Sequence, residues 1–220
     1  IKPKTKNIRG IKMMKTSFIS ALLISVSLTA SCKAANFDYY YNGEGNAVIT
    51  LEGEIVEGDR ERFRDVVKGL NRNNRYVSGL RLNTGGGNLK EGFGIAADVM
   101  AAKIDTMVYR KSMCASACFL IFAAGNQKWI DDGARIGVHA AADQNGKETV
   151  GSMATTLEMV RIMKMLNAPP SVIAKAATTV PGAMAWLTAD EAIAMGARWA
   201  NPKSASASDS YNSPSASQSS

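Results

Sequence analysis

Three short segments contain residue types that could do chemistry together: the triplet Gly85-Gly86-Gly87, the stretch around Ser116, and His139. Glycines allow backbone N–H groups to face an anion, a serine hydroxyl can act as a nucleophile, and a histidine can take its proton. The triplet is neither a Walker loop nor a dinucleotide fingerprint, because no Lys-Ser/Thr pair follows and the third glycine lacks the required spacing. Taken singly, the three segments are more typical of a turn, a helix N-cap and a structural histidine than of a site.

Two cysteines, Cys114 and Cys118, flank Ser116. If both lay in a helix, their Cβ atoms would be about 5–6 Å apart, which exceeds the roughly 3.8 Å that a disulfide needs. A zinc site would need further ligands, and the chain offers one other cysteine, Cys32, and one histidine, His139. The sequence therefore predicts that both cysteines pack as small apolar residues, with no metal and no cofactor.

The three segments fall where predicted strands and helices meet. Strands are predicted over 47–51, 76–82, 106–110, 127–130 and 135–138, and His139 directly follows the last of these. Asp59 is a candidate helix cap, and Thr188 to Glu191 is a capping-box sequence for a last helix that ends at Gly196. Apolar residues at helical spacing mark the helices between them: Phe63/Val66/Val67/Leu70, Phe93/Ala96/Ala97/Met100, residues 117–124, and Met159/Ile162/Met163/Leu166, with Pro169-Pro170 ending the last. This alternation predicts an α/β fold with a parallel-rich sheet flanked by helices.

The charge of the chain is concentrated at its start. The net charge is +7, but seven of the 26 basic residues and no acidic residue lie in residues 1–34, so 19 basic residues balance the 19 acidic ones in the rest. A neutral body lacks the electrostatic footprint of a nucleic-acid-binding protein, so no nucleic-acid partner is expected.

Both ends of the chain are predicted to lie outside the folded domain. The basic start and an apolar run over 18–28 are typical of a signal peptide, with translation starting at Met13 or Met14 and cleavage after Ala34 or before a lipid-modified Cys32. We therefore predict a leader over 1–34, a domain over 37–201 and a disordered Ser/Ala-rich tail over 202–220. Export to the periplasm follows, with membrane attachment only through lipid on Cys32.

Four segments, in this order along the chain, resemble ClpP-like serine peptidases of the ClpP/crotonase superfamily. Residues 82–87 resemble the family's Asn-Ser-Pro-Gly-Gly loop, and residues 115–125 resemble its nucleophile helix. Residues 134–139 resemble its histidine strand, and residues 187–196 resemble its closing helix. The resemblance implies a fold of repeated β-β-α units and, together with the leader, favours the periplasmic branch of these bacterial proteins.

The resemblance also implies a role for each candidate residue. Ser116 would be the nucleophile, His139 the general base, and the N–H groups of Gly86 and Ala117 the oxyanion hole, with Gly87 replacing Gly86 under a one-residue shift. The substrate would be a peptide or protein, and self-association is implied because members of the family commonly form oligomers. One feature departs from the pattern: residues 178–186, where the family has an orienting aspartate, contain no acid, and neither Asp143 nor Asp190 is assigned in its place.

Two functions from different classes therefore remain open. The first is an exported serine peptidase or related acyl hydrolase that forms an acyl-enzyme on Ser116. The second is a catalytically inactive ClpP-like module that binds peptides or assembles with partners. An acyl-CoA enzyme with the crotonase fold ranks third, because an exported protein would rarely meet coenzyme A. A hydrogen bond between Ser116 and His139 would favour the enzyme.

Overall fold

A computed structural model describes residues 34–143 and 145–200. The predicted leader up to residue 33, including Cys32 and both start methionines, lies outside the described residues, as does the serine-rich tail from residue 201. The leader, its cleavage and the tail therefore stay predictions.

The described residues form nine strands in two sheets. In chain order the strands are β1 Asn36–Tyr41, β2 Ala47–Glu52, β3 Val77–Asn83, β4 Asp105–Val108, β5 Met113–Ala115, β6 Lys128–Ile130, β7 Arg135–Val138, β8 Ala185–Trp186 and β9 Ala197–Trp199. The larger sheet has the order β1-β2-β3-β4-β6-β9, and all neighbours are parallel except the antiparallel edge strand β1. The smaller sheet has the order β5-β7-β8, with β5 parallel and β8 antiparallel to β7.

Six helices connect and cover the sheets in the described part of the chain. They are α1 Asp59–Arg72, α2 Leu89–Ala102, α3 Ala117–Ala123, α4 Val150–Met165, α5 Pro170–Thr178 and α6 Ala189–Ala194. Every residue of α3 is buried, so this helix is apolar on all sides and belongs to the core. The predicted α/β class with a parallel-rich sheet flanked by helices is confirmed.

The two sheets meet where β3 ends, and this junction positions the candidate site. The N–H of Thr84 donates to the carbonyl of Met113 (2.8 Å), and the N–H of Ala115 donates to the carbonyl of Thr84 (3.1 Å). The carboxyl end of β3 therefore runs alongside β5. As a result the glycine triplet, which follows β3, lies beside the residues that follow β5.

Three features of the predicted helices need correction, and the first is the buried face of α2. The predicted face of α2 leaves Phe93 38% and Met100 58% exposed, whereas Ile95 and Val99 are fully buried. The cause is a close approach, since a side chain on Gly92 would meet Ala117 of α3 at 2.9 Å. Small residues of α2 therefore face α3, and the larger Phe93 and Met100 are displaced outward.

The other corrections concern helix ends. The N-cap of α1 is Gly58 without a side-chain cap, and the buried Asp59 instead accepts the N–H of Val56 at 2.7 Å. The second residue of the Pro-Pro pair, Pro170, begins α5, which the sequence analysis did not predict. Proline fits there because the first turn of a helix needs no donor at that position.

No helix among the described residues is long and apolar enough to span a membrane.

Candidate active site

Ser116 occupies a sharp turn between β5 and α3. Its backbone has φ 55° and ψ −125°, which L-residues rarely adopt at a cost of about 1–3 kcal/mol. Ser116 occupies the N-cap position of α3, as the alternative interpretation expected, but its side chain makes no capping hydrogen bond. A strained strand-to-helix turn of this kind is the arrangement in which α/β hydrolases expose a nucleophilic serine.

A disulfide and two backbone hydrogen bonds hold this turn. The N–H of Ser116 donates to the carbonyl of Gly137 in β7 (3.0 Å), and its own carbonyl accepts the N–H of Phe119 (2.9 Å). Cys114 and Cys118 are joined by a disulfide, so the prediction of two unpaired cysteines is wrong. That prediction assumed a helix at both positions, but Cys114 belongs to β5 and the Cα atoms are 5.2 Å apart, within the usual range for a disulfide.

The glycine triplet is seated directly against this turn. Gly86 has φ 100°, and a Cβ atom there would lie 2.5 Å from the carbonyl oxygen of Ala115 and 2.7 Å from Cβ of Ser116. Only glycine fits such a position, both for its backbone conformation and for its space. The structure thus brings together the predicted site residues Gly86, Ser116 and Ala117.

The backbone donors of the triplet differ in whether they are already used. The N–H of Gly86 donates to Oγ1 of the buried Thr84 at 3.0 Å. Gly87 lies opposite Ile55 in a parallel β-bridge. The N–H of Ile55 donates to the carbonyl of Gly86 (2.8 Å), and the N–H of Asn88 donates to the carbonyl of Ile55 (2.7 Å). In this pattern the N–H of Gly87 itself points away from Ile55. Within residues 34–143 and 145–200 no acceptor is found for the Gly87 N–H.

Ala117 supplies a second backbone donor at the turn. It is the first residue of α3, and the N–H groups of a first helical turn have no acceptor within the helix. The residue is completely buried, so its N–H is not exposed to bulk water.

His139 follows β7 and reaches the same region through the pairing of β5 with β7. Ala115 lies opposite Gly137 in this parallel pair, so Ser116 is one residue beyond the pair in one strand and His139 is two residues beyond it in the other. The N–H of Ala140 donates to the carbonyl of Thr179 (2.9 Å), which fixes the backbone after His139. No hydrogen bond joins the side chains of Ser116 and His139 among the described contacts.

The Nδ1 atom of His139 is buried and has no hydrogen-bond partner in the described part of the chain. The two carboxylates weighed for this role lie elsewhere: Asp143 accepts the N–H groups of Asn145 and Lys147 in its own loop, and Asp190 lies in the first turn of α6. Among the described residues, therefore, no acid orients the imidazole, and no hydrogen bond links it to Ser116.

Comparison with known proteins decides the fold. No family model and no curated protein matches the chain. Among solved structures, ClpP1 from Listeria monocytogenes superimposes with a TM-score of 0.54 at 17% identity, over 70% of this chain and 92% of that one. An alanine variant of the 1510-N membrane-bound stomatin-specific protease gives 0.52 at 18% identity, over 71% and 80%. A probable enoyl-CoA hydratase from Mycobacterium tuberculosis gives 0.50 at 14% identity, over 76% and 75%.

The chain has the ClpP/crotonase fold. The fold expected from the four sequence segments is thereby confirmed. Because solved structures with this fold include both proteases and a probable hydratase, the fold alone does not decide the activity, which depends on the site.

Contacts of α5, β8 and α6 support β7 in this ClpP/crotonase fold, and hence His139. The guanidinium of Arg135 stacks over the ring of Trp186 in β8 at 3.7 Å. Lys175 of α5 donates to the carbonyl of Trp186 (3.3 Å) and to Glu191 of α6 (2.7 Å). Burial alone would raise the pKa of Glu191, but the hydrogen bonds from Lys175 and from the N–H of Thr188 outweigh it and lower that pKa.

The described residues contain no group of three His, Cys, Asp or Glu side chains that could hold a metal ion. At the site, the sequence analysis missed the disulfide, strands β5 and β8, and the use of the Gly86 N–H by Thr84. The β5 strand is three residues long, too short to show a pattern, and Thr84 carried no signal beyond its position before the triplet.

Proposed function

We propose that this chain is an exported serine peptidase in which Ser116 forms an acyl-enzyme and His139 acts as general base. The observation that carries the proposal is the turn at Ser116: a strained strand-to-helix junction, closed by a disulfide, with a glycine loop packed against it. A serine that served only as a helix cap would need neither the strain nor the glycine contact. The fold shared with ClpP1 and the stomatin-specific protease adds support.

Each step of the reaction can be assigned to an atom of this site. The Nδ1 atom of His139 is buried, so Nε2 is the nitrogen that takes the proton from Ser116 Oγ as this oxygen attacks the peptide carbonyl carbon. The protonated imidazole then gives this proton to the leaving amine as the C–N bond breaks. Water, deprotonated by the same Nε2, hydrolyses the acyl-enzyme and frees Ser116.

The developing oxyanion would be bound by the N–H groups of Gly87 and Ala117. Gly86 was the first choice from sequence, but its N–H already donates to Thr84, whereas the Gly87 N–H has no acceptor among the described residues. Such donors act without reorganisation, and removing one typically lowers turnover about 10²- to 10³-fold.

Export is part of this proposal. Disulfides form and persist in oxidising compartments and are rare in the cytosol, so the Cys114–Cys118 bond supports the predicted leader and a periplasmic location. Attachment to a membrane would require lipid on Cys32.

A second candidate function is an inactive ClpP-like module that binds peptides or assembles with partners. The orphaned Nδ1 of His139 favours it, because loss of the orienting acid from a Ser-His-Asp triad lowers turnover about 10⁴-fold.

Digestion of a pool of unstructured peptides, followed by mass spectrometry, separates the two functions. A peptidase gives new peptide ends with the wild type and with Ser171→Ala, whose serine is exposed at the start of α5, and none with Ser116→Ala. Peptide binding without cleavage by all three folded proteins would contradict the peptidase and support the binding module.

A further inference from the structure

We infer that the Cys114–Cys118 disulfide is a positioning device for the nucleophile, so that the site is assembled only after these cysteines are oxidised. This inference rests on the proposed function. It concerns two residues that take no part in the reaction itself and act through the backbone of Ser116.

Ser116 lies at the centre of the covalent ring that the disulfide closes. The ring runs Cys114-Ala115-Ser116-Ala117-Cys118, and both cysteines are completely buried. It therefore contains the candidate nucleophile, one candidate oxyanion donor, and the Ala115 carbonyl against which Gly86 packs.

The strain at Ser116 explains why a covalent link is needed. If φ of Ser116 relaxed from 55° to a common negative value, the start of α3 would swing relative to the end of β5. A swing of this kind would separate Cys114 from Cys118, whose Cα atoms are held 5.2 Å apart. Besides the disulfide, two described backbone hydrogen bonds hold Ser116: its N–H donates to Gly137, and its carbonyl accepts the N–H of Phe119.

Global stabilisation is a weaker explanation for the same bond. A disulfide restricts the unfolded chain less when the loop that it closes is short, and this loop closes over a sequence separation of only 4. The bond is thus poorly placed to stabilise the whole fold and well placed to fix one turn.

The test compares the same protein with the disulfide intact and reduced. Both forms use the full chain carrying Cys32→Ser, so that the pair is the only source of thiols. The protein is unfolded in guanidinium chloride with dithiothreitol, whose dithiol supplies two electrons and two protons, and is refolded under reductant. The rate of fluorophosphonate labelling of Ser116 is then measured by intact mass. We expect a fall on the order of 10- to 100-fold in the reduced form, and recovery after oxidation with oxidised glutathione.

A matched variant separates positioning from stability. Ile121→Val removes a buried methylene from α3 and leaves the disulfide in place, so it weakens the same helix without freeing the turn. It should label at the wild-type rate, whereas Cys114→Ala/Cys118→Ala should label as slowly as the reduced protein.

Amide hydrogen exchange gives a readout that does not depend on activity. If the disulfide positions Ser116, reduction should speed up amide hydrogen exchange at residues 115–118, most of all at the Ser116 N–H. Exchange in the strands of the larger sheet should be unchanged. Equal exchange in both forms would overturn the inference, as would labelling of both forms at the same measurable rate. Absence of labelling in both forms would count against the proposed function instead, and the exchange result would still decide the role of the disulfide.

Discussion

The contact between the glycine triplet and the Ser116 turn makes two neighbouring glycines unequal. Gly86→Ala would place a methyl group against Ala115 and Ser116 at a φ of 100°, whereas a methyl group on Gly85 would meet nothing within 4 Å. We expect Gly86→Ala to lower the free energy of unfolding by about 2–4 kcal/mol and Gly85→Ala to change it by less than about 1 kcal/mol. Urea unfolding of both variants measures the difference, and equal losses would show that the triplet is not seated as described.

Thr84 is expected to support the same loop through its hydroxyl. Thr84→Val keeps the shape but removes the acceptor of the buried Gly86 N–H, which should cost about 1–3 kcal/mol of stability. Thr84→Ser keeps the acceptor and should cost less. Chemical denaturation of the pair tests this, and a serine variant as unstable as the valine variant would contradict it.

Sequence patterns identified the chemical groups of the site but not its backbone. Ser116 and His139 could be found because a serine before an apolar helix and a solitary histidine after a strand are visible in the chain. The disulfide could not, because the distance between Cys114 and Cys118 depends on the unusual backbone of Ser116, which no residue type announces. The choice between Gly86 and Gly87 likewise needed the hydrogen bond from Thr84.

At the scale of elements, the ion pair between Lys175 of α5 and Glu191 of α6 should make the free energy of unfolding depend on pH. The pKa of Glu191 is lowered in the folded state, so its contribution is present above the ordinary value of 4.5 and is lost as pH falls through the lower folded value. We expect the wild type to lose up to about 1 kcal/mol from this pair between pH 5 and pH 3.

The control for this prediction is Lys175→Met, which keeps the length of the side chain and removes its charge. Urea unfolding across the same pH range should show a shallower dependence in the variant. Part of the slope should remain, because the pKa of Asp98 is also lowered: hydrogen bonds from Arg60 and Arg64 outweigh its burial, which alone would raise it. Identical slopes in both proteins would show that the pair contributes nothing.

The complete capping box of α6 was more readable from sequence than the buried face of α2. The capping box from Thr188 to Glu191 predicted the start of α6, and the structure contains both of its hydrogen bonds. The face of α2 was wrong because periodicity favours the large side chains Phe93 and Met100, whereas packing against α3 selects small ones. A helix cap depends on residues that are close in sequence, whereas a buried helix face depends on the helix that packs against it.

For the whole molecule, the alternation of strands and helices was sufficient to predict the class, and four short segments were sufficient to predict the fold. The division into two sheets was not predictable, because β5 and β8 are two or three residues long and are defined by their partners. The antiparallel edge strand β1 was also missed, although its tyrosines suit a strand.

Self-association stays a prediction, and α4 is where we expect it to be visible. Val150, Met153 and Leu157 lie at helical spacing on α4 and are all exposed, which is unusual for a free surface. Sedimentation velocity should give a mass above the 23.4 kDa of one chain. Met153→Lys/Leu157→Lys should lower that mass, and the exposed change Asn71→Lys on α1 should not. A wild type that sediments as a monomer would contradict the prediction.

The central claim is that Ser116 is an activated nucleophile with His139 as its base. The most direct measurement is the intact mass of the folded chain after exposure to a fluorophosphonate, for the wild type, Ser116→Ala and His139→Ala. The account predicts a single adduct on the wild type, mapped to Ser116, and none on either variant. A folded wild type that stays unlabelled, or an adduct that persists in Ser116→Ala, would contradict it.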